Sequence, residues 1–262
     1  MKESAMSNLV PVTIDGKKIE VPYDTTVLDA AKKLGIFIPT LCHNENVKPY
    51  GVCRICLVEM RQGKRSKLVP SCVFPLRKET EIQTNSEKVQ RVRKWILQLM
   101  LARTPNEKVI CDLAAKYGVE KTHPRFSPHW KEETGDRYID ESSCILCGQC
   151  VRVCEEIVGV GAIAFEGRGA HRRVTAPFDV QSDVCIACGA CEYVCPTKCI
   201  GFVDHGATRE LKRWHMNTKM IACSKCGDYF LPEALAKLYE EKMNIPADVY
   251  QICPNCRDSV FK

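Results

Sequence analysis

Four sets of cysteines constrain this chain more than any other feature, because the fold must bring each set to one point in space. The first set is Cys42, Cys53, Cys56 and Cys72. Two tight runs follow, Cys144/Cys147/Cys150/Cys154 and Cys185/Cys188/Cys191/Cys195. A pair of pairs, Cys223/Cys226 with Cys253/Cys256, closes the series. Of the eighteen cysteines only Cys111 and Cys199 stand outside these sets. A disulfide scaffold would explain such an excess in a short secreted chain. Here the chain has 262 residues, and its start, MKESAMSNLV, has no apolar core of the kind a signal peptide needs. No run approaches the ~18 apolar residues of a membrane span. The expectation is a reduced, cytoplasmic metalloprotein in which thiolates hold metal and replace part of the core.

The two C-x2-C-x2-C-x3-C runs give the most specific signal. They repeat one another, Cys-Ile-Leu-Cys-Gly-Gln-Cys from position 144 and Cys-Ile-Ala-Cys-Gly-Ala-Cys from position 185, which predicts a pseudo-twofold domain over 138–206. In the bacterial two-cluster ferredoxin pattern such runs hold two [4Fe–4S] clusters, and the fourth cysteine of each run ligates the other cluster. One cluster would then use Cys144, Cys147, Cys150 and Cys195, and the other Cys185, Cys188, Cys191 and Cys154. Gly148 and Gly189 relieve crowding between the second and third ligands. Pro196 follows Cys195 as in the pattern, whereas Glu155 stands after Cys154. Zinc usually takes paired knuckles rather than four-cysteine runs.

The first set has the spacing C-x10-C-x2-C before Cys72, a longer first gap than the plant-type C-x4-C-x2-C. Its context supports a [2Fe–2S] centre. Val10–Ile14 and Lys17–Val21 read as strands joined by Asp15-Gly16, a strong hairpin signal. Thr25 or Thr26 then caps a helix through Leu28, Ala31 and Leu34. The cysteine loop over Ile36–Arg54 follows, then short strands near Leu57–Met60, Leu68–Ser71 and Glu81–Thr84. That order suits a β-grasp sheet over 1–85. Gly51 lets the backbone fold closely round the site. Asn85 or Ser86 starts a second helix whose apolar stripe reads Val89, Val92, Trp95, Ile96, Leu99 and Met100. Pro105 breaks it, and a further helix runs from Asn106 to Tyr117 before Gly118. Residues 86–137 thus form a helical connector and linker, with Lys121–Arg137 rich in Pro, His and charge.

The fourth set, Cys223, Cys226, Cys253 and Cys256, is two C-x2-C knuckles in a small module over 207–262. Four thiolates at this spacing favour one structural zinc in a zinc-ribbon-like fold, with a single iron or a further cluster as the alternatives. Ala207–Lys219 reads as a basic connector, and Pro232–Lys242 as a helix between the knuckles. Cys199 reads as a buried thiol and Cys111 as a helix core residue. His43 shapes the first cysteine loop; His205 and His215 could bind metal, but the four sets are complete without them. There is no G-x-G-x-x-G after a strand, no P-loop and no nucleophile–base pair, so no catalytic residue is assigned. The net charge is +6. Its basic stretches, Arg61–Lys67, Lys88–Lys94 and Arg168–Arg173, read as solvated surface or as docking faces for an acidic partner. Nucleic acid is a weaker partner, since no aromatic-basic module accompanies the charge.

Taken together, Pro39–Cys42, Pro49–Glu59, Pro70–Cys72, Cys144–Cys154, Gly167–Gly169 and Cys185–Pro196 resemble the iron–sulfur electron-transfer subunits of NAD-linked hydrogenases and of respiratory complex I. These include the small diaphorase subunit of NAD-reducing hydrogenases, the N-terminal part of electron-bifurcating hydrogenase large subunits and that of the complex I 75-kDa-type subunit. The resemblance covers Met1–Asp204. It implies an α+β chain acting as a non-catalytic electron conduit in a multisubunit oxidoreductase complex. Its partners would be a flavoprotein that handles NAD(H) on FMN and a catalytic hydrogenase, formate dehydrogenase or aldehyde oxidoreductase subunit. An electron-bifurcating assembly would add free ferredoxin. Relatives also hold a [4Fe–4S] cluster with one histidine and three cysteine ligands after the long helix. The corresponding stretch here, Leu101–Val119, keeps Cys111 and no histidine, so that cluster is expected to be lost. Two rival classes stay open: a free-standing polyferredoxin shuttle, and a metal-stabilised binding or regulatory protein.

Overall fold

The computed structural model describes residues 9–63, 65–120, 143–169 and 172–257. The linker expected over Lys121–Arg137 therefore lies outside the described residues. The chain divides into two units, Met1–Cys147 and Gly148–Lys262.

In the first unit, strands β1 (Leu9–Ile14) and β2 (Lys17–Pro22) form the expected hairpin. Asp15 and Gly16 both take positive φ, 47° and 81°, as a tight hairpin turn requires. The Asp15 carboxylate then accepts from the Thr84 amide at 2.8 Å, which ties the turn to the sheet. Helix α1 (Val27–Lys33) starts at Thr26, whose hydroxyl accepts from the Asp29 amide at 3.1 Å. Strands β3 (Leu57–Gln62), β4 (Arg65–Pro70) and β5 (Thr80–Gln83) complete a mixed sheet in the order β2-β1-β5-β3-β4. β5 runs parallel to β1 and antiparallel to β3. Alternate residues Val10, Val12 and Ile14 of β1 point inward, as period-two patterning demands. They meet Val27, Leu28, Ala30 and Ala31 of α1, together with Val58, Met60 and Ile82, in one core.

Helix α2 (Glu87–Arg103) is capped by Ser86, and α3 (Lys108–Lys116) follows after Thr104 and Pro105. The buried face of α2 only partly matches the stripe expected from the sequence: Val89 is buried, and Ile96 and Met100 pack against the helical core. The face consists of Val89, Arg93, Leu97 and Leu101, while Trp95 and Leu99 remain exposed. The face is rotated because Arg93 points inward and finds acceptors there. Leu97 and Leu101 pack with Ile110 and Ala114 of α3 in a second core.

Each of the two cysteine runs leads into a short helix of the second unit, α4 (Gln149–Arg152) and α5 (Ala190–Val194). The backbone obeys the sequence repeat. Leu146 and Ala187, at equivalent places, have φ of 53° and 49°, and Gly148 and Gly189 have 71° and 81°. Left-handed backbone at a non-glycine residue costs roughly 1–2 kcal/mol, so both turns are held by what surrounds them. Between the runs lie a π-helical turn (Val153–Val158) and a ribbon of β6 (Ala164–Glu166) with β7 (Arg173–Thr175).

Ala207–Lys219 is not a connector. It supplies β9 (Thr208–Leu211) and most of β10 (Met216–Ala222) of a four-stranded sheet, ordered β11-β10-β9-β8. Strand β8 is Val203–Asp204 and β11 is Tyr229–Pro232. The segment forms strands because Leu211 and Met216 pair across the loop and both are buried. Its charges sit elsewhere: Arg209 pairs with Asp204 at 2.7 Å. Helix α6 (Glu233–Met243) lies between the knuckles as expected.

Candidate iron–sulfur and metal sites

Cys42, Cys53, Cys56 and Cys72 come together, all buried, at the seam between the two cores of the first unit. Cys56 and Cys72 belong to the sheet core, Cys42 and Cys53 to the helical core. Cys56 and Cys72 Sγ are 3.4 Å apart, and the Cys53 amide lies 3.5 Å from Cys42 Sγ. Hydrogen bonds from Cys53 and Cys72 hold the Cys42 thiol down at about 2. A hydrogen bond from Cys72 brings Cys56 down to about 6. Cys53 and Cys72 move up in return, chiefly through their bonds to Cys42. Without positive charge among them, the four thiols thus stabilise thiolates at Cys42 and Cys56 and hold the proton on Cys53 and Cys72.

Two features shape this loop. Gly51 has φ of +66°, and a Cβ there would meet Val73 at 3.1 Å. Arg93, 2% exposed, reaches in from α2. Its Nε donates to the Ile55 carbonyl at 3.0 Å and its Nη2 to the Leu57 carbonyl at 2.7 Å. Its Nη1 donates to Tyr117 Oη of the turn after α3, also at 3.0 Å. A buried arginine thus fixes the backbone between and just beyond two of the cysteines. Sequence reading missed it, counting Arg93 within the surface stretch Lys88–Lys94. Its only signal was that it stands four residues after Val89 and four before Leu97, on the face that is in fact buried.

Cys144 and Cys147 are buried in the first unit. Arg103, the last residue of α2, donates to the Cys144 carbonyl at 2.8 Å. Cys147 lies in the same apolar cluster as Cys42 and Cys53. In the second unit Cys150 and Cys195 are buried. Cys195 Sγ is 3.6 Å from Cys199 Sγ and 3.6 Å from Thr197 Oγ1. Cys199 and then Thr197 bring the Cys195 thiol down to about 5.

Cys154, Cys185, Cys188 and Cys191 line one cavity in the second unit. Its walls are apolar and include Ile163, Ile186, Phe202, Leu211 and Trp214. The Ala162 amide donates to Cys154 Sγ at 3.3 Å. Burial pushes the thiols of Cys154 and Cys185 up, and Cys191 to about 12 against the pull of the Trp214 indole. Such walls favour a neutral occupant over four bare thiolates. Four thiolates gathered there would need cationic charge between them, which the iron of a cluster would supply.

Cys223, Cys226, Cys253 and Cys256 are arranged differently. Their four sulfurs lie within 4.8 Å of one another, with Cys226 and Cys253 at 3.7 Å. A zinc–sulfur length of 2.3 Å implies a tetrahedral edge of about 3.8 Å. A cubane, whose own core stands between its ligands, needs wider separation, so this set fits one mononuclear ion. Amides of Cys253 and Lys225 approach Cys223 Sγ at 3.3 and 3.4 Å and bring that thiol down to about 6, the Cys253 amide foremost.

The remaining candidates have other partners. Cys111 Sγ donates to the Pro105 carbonyl at 3.3 Å. His205 faces Glu210, and His215 faces Asp179. Arg173, from the third basic stretch, pairs with Glu166 and Asp179. No helix among the described residues is long and apolar enough to cross a membrane.

These features define a class. Residues 7–87 match a 2Fe-2S iron-sulfur cluster binding domain, and residues 137–202 a 4Fe-4S dicluster domain. The chain is therefore an iron–sulfur protein that joins a 2Fe-2S domain to a 4Fe-4S dicluster domain and ends in a four-cysteine group. It is 37% identical over 232 residues to the NADPH-Fe(3+) oxidoreductase subunit alpha of Geobacter sulfurreducens, covering 84% of this chain and 27% of that one. It is 33% identical over 218 residues to the NADP-reducing hydrogenase subunit HndD of Solidesulfovibrio fructosivorans, covering 76% and 36%. It is 30% identical over 233 residues to an NADH-quinone oxidoreductase subunit of Rhizobium meliloti, covering 84% and 27%. A crystal structure of NAD+-reducing [NiFe]-hydrogenase in the H2-reduced state is similar with a TM-score of 0.54 at 29% identity, over 64% of this chain and 75% of that one. The chain thus resembles the iron–sulfur subunits of NAD(P)-linked hydrogenases and of NADH-quinone oxidoreductase, as its motifs imply. It spans between 27% and 36% of the length of these three relatives.

Proposed function

We propose that the chain is an electron-transfer subunit of a multisubunit NAD(P)H-linked oxidoreductase of the reduced cytoplasm. It exchanges single electrons between a flavoprotein subunit and a catalytic hydrogenase or dehydrogenase subunit, with free ferredoxin as a third partner in a bifurcating assembly. Its N-terminal sheet is a β-grasp domain with one [2Fe–2S] cluster on Cys42, Cys53, Cys56 and Cys72. One [4Fe–4S] cluster belongs to Cys144, Cys147, Cys150 and Cys195, and a second to Cys185, Cys188, Cys191 and Cys154. One zinc belongs to Cys223, Cys226, Cys253 and Cys256. When bound, the clusters supply reversible one-electron chemistry at potentials set by hydrogen bonds, charge and exposure.

The observation that supports this reading most is the burial of Cys147 in one apolar cluster with Cys42 and Cys53. It seats the first ligand set next to the start of the second, across packed apolar side chains. The segment where relatives hold a further cluster contributes Cys111, which bonds a backbone carbonyl instead. Adjacent seats supply a route that does not need that cluster. The chain's own residues hold and orient the cysteine ligands.

Metal analysis of the anaerobically purified chain tests the ligand sets: about ten irons and one zinc per chain are expected. About four further irons would mean another cluster and defeat the assignment. Native mass spectrometry of the endogenous complex tests the subunit reading, with a flavin-containing partner expected. A stable lone monomer that carries its clusters would favour the free shuttle.

A further inference from the structure

Trp214 stands twelve residues beyond the segment that matches the 4Fe-4S dicluster domain, yet it lines the cavity of Cys154, Cys185, Cys188 and Cys191. It sits on the tight turn Lys212–Trp214 between β9 and β10, and the pairing of Leu211 with Met216 across that turn fixes its place. The ring is 2% exposed, and the Arg213 guanidinium lies over it, 5.3 Å from the centroid. Its Nε1 is fully buried and has no hydrogen-bond partner within normal distance among the described residues. Buried indole N–H groups nearly always have an acceptor. Cys191, a ligand in the assignment proposed above, lines the same cavity.

We infer that Trp214, supplied by the C-terminal sheet, is a positioning residue for the second [4Fe–4S] cluster, donating its indole N–H toward the Cys191 thiolate or an adjacent sulfide and closing the cavity against water. A hydrogen bond to cluster sulfur favours the more negative, reduced state and so raises the potential, while exclusion of water acts in the opposite direction. Phenylalanine separates the two effects, because it keeps an apolar ring and loses the N–H. The inference rests on the ligand assignment proposed above and adds to it a role for the segment beyond the dicluster domain.

The test uses the full-length chain reconstituted with iron and sulfide, followed by EPR-monitored redox titration. Cys188→Ala first identifies the signal of the cluster in question, since that signal alone should vanish. If the wild-type chain has no second cubane signal, the ligand assignment itself is wrong. Trp214→Phe should retain full iron and zinc content and shift that one signal to lower potential, leaving the other cubane and the [2Fe–2S] signal in place. Three unmoved potentials with intact clusters would overturn the inference while sparing the assignment. A measurement on the unaltered sequence covers the case in which the variant fails to fold. With tryptophan labelled by 15N in the indole, electron spin-echo modulation of the reduced second cluster should show a 15N coupling, and its absence would equally overturn the proposal.

Discussion

The first and last cysteine sets each gather four sulfurs, but they stand on different supports. Cys42, Cys53, Cys56 and Cys72 sit where two apolar cores meet, one built on a five-stranded sheet and the other on two packed helices. The knuckles at Cys223/Cys226 and Cys253/Cys256 have a smaller apolar support: Cys226 is exposed, and the buried side chains near them in sequence are Trp214, Met216, Met220, Ala236 and Tyr250. One site is a guest on a scaffold that apolar burial already stabilises. The other is part of the scaffold. Sulfur separation tells the same story, because sulfurs held within 4.8 Å leave room for one ion and for no inorganic core.

The largest expected effect breaks this comparison directly. Cys253→Ser, or removal of the bound ion by a chelator, should unfold the segment around the knuckles, since structural zinc contributes roughly 10–16 kcal/mol in small modules. Amide exchange at residues 223–232 and 247–256 should rise to the unfolded rate. Cys56→Ser should abolish the [2Fe–2S] signal yet leave the amides of β1 and β5 protected. Equal loss of protection in both variants would show that the two sites are not built differently.

A second, smaller effect concerns the seam. Arg93→Met removes the donors to the Ile55 and Leu57 carbonyls, and stranding buried acceptors costs about 1–3 kcal/mol each. Denaturant unfolding of the first unit should show a loss of about 3 kcal/mol, with incomplete [2Fe–2S] loading. Arg93→Lys should not restore it, because an ammonium lacks the planar fork. Gly51→Val should cost about 2 kcal/mol through left-handed strain and the Val73 contact, read in the same titration. The smallest effect is electronic. Cys199→Ala removes one sulfur contact to Cys195. A bond of about 1 kcal/mol corresponds to about 40 mV for one electron, so one cubane should titrate lower by that order with iron content unchanged.

Much of this was legible because the signals are local. Asp15-Gly16, the Thr26 and Ser86 caps and the Cys-x2-Cys spacings each act over a few residues, and each marks its place without help from distant parts. Arg93 and Trp214 were not legible for the opposite reason. Arg93 stands in a basic stretch and is buried only because two carbonyls from the cysteine loop await it. Trp214 lies in a run of Arg, Lys and His that reads as solvated, and only strand pairing carries it to the cysteines. The apolar stripe assigned to α2 was right for Val89, Ile96 and Met100 but not for Trp95 and Leu99, since periodicity weighs hydrophobic side chains and gives no place to a buried cation.

The division of the first cysteine set between two cores also orders events in time. Cys56 and Cys72 are fixed once the sheet closes, but Cys42 and Cys53 are packed by Leu97, Leu101, Ile110 and Ala114. A nascent chain that has not yet delivered α2 and α3 presents only half of the seat in its final form. If these four cysteines hold the proposed cluster, its seat is complete only after both cores have formed, and the cluster then joins them like a suture between two edges laid side by side.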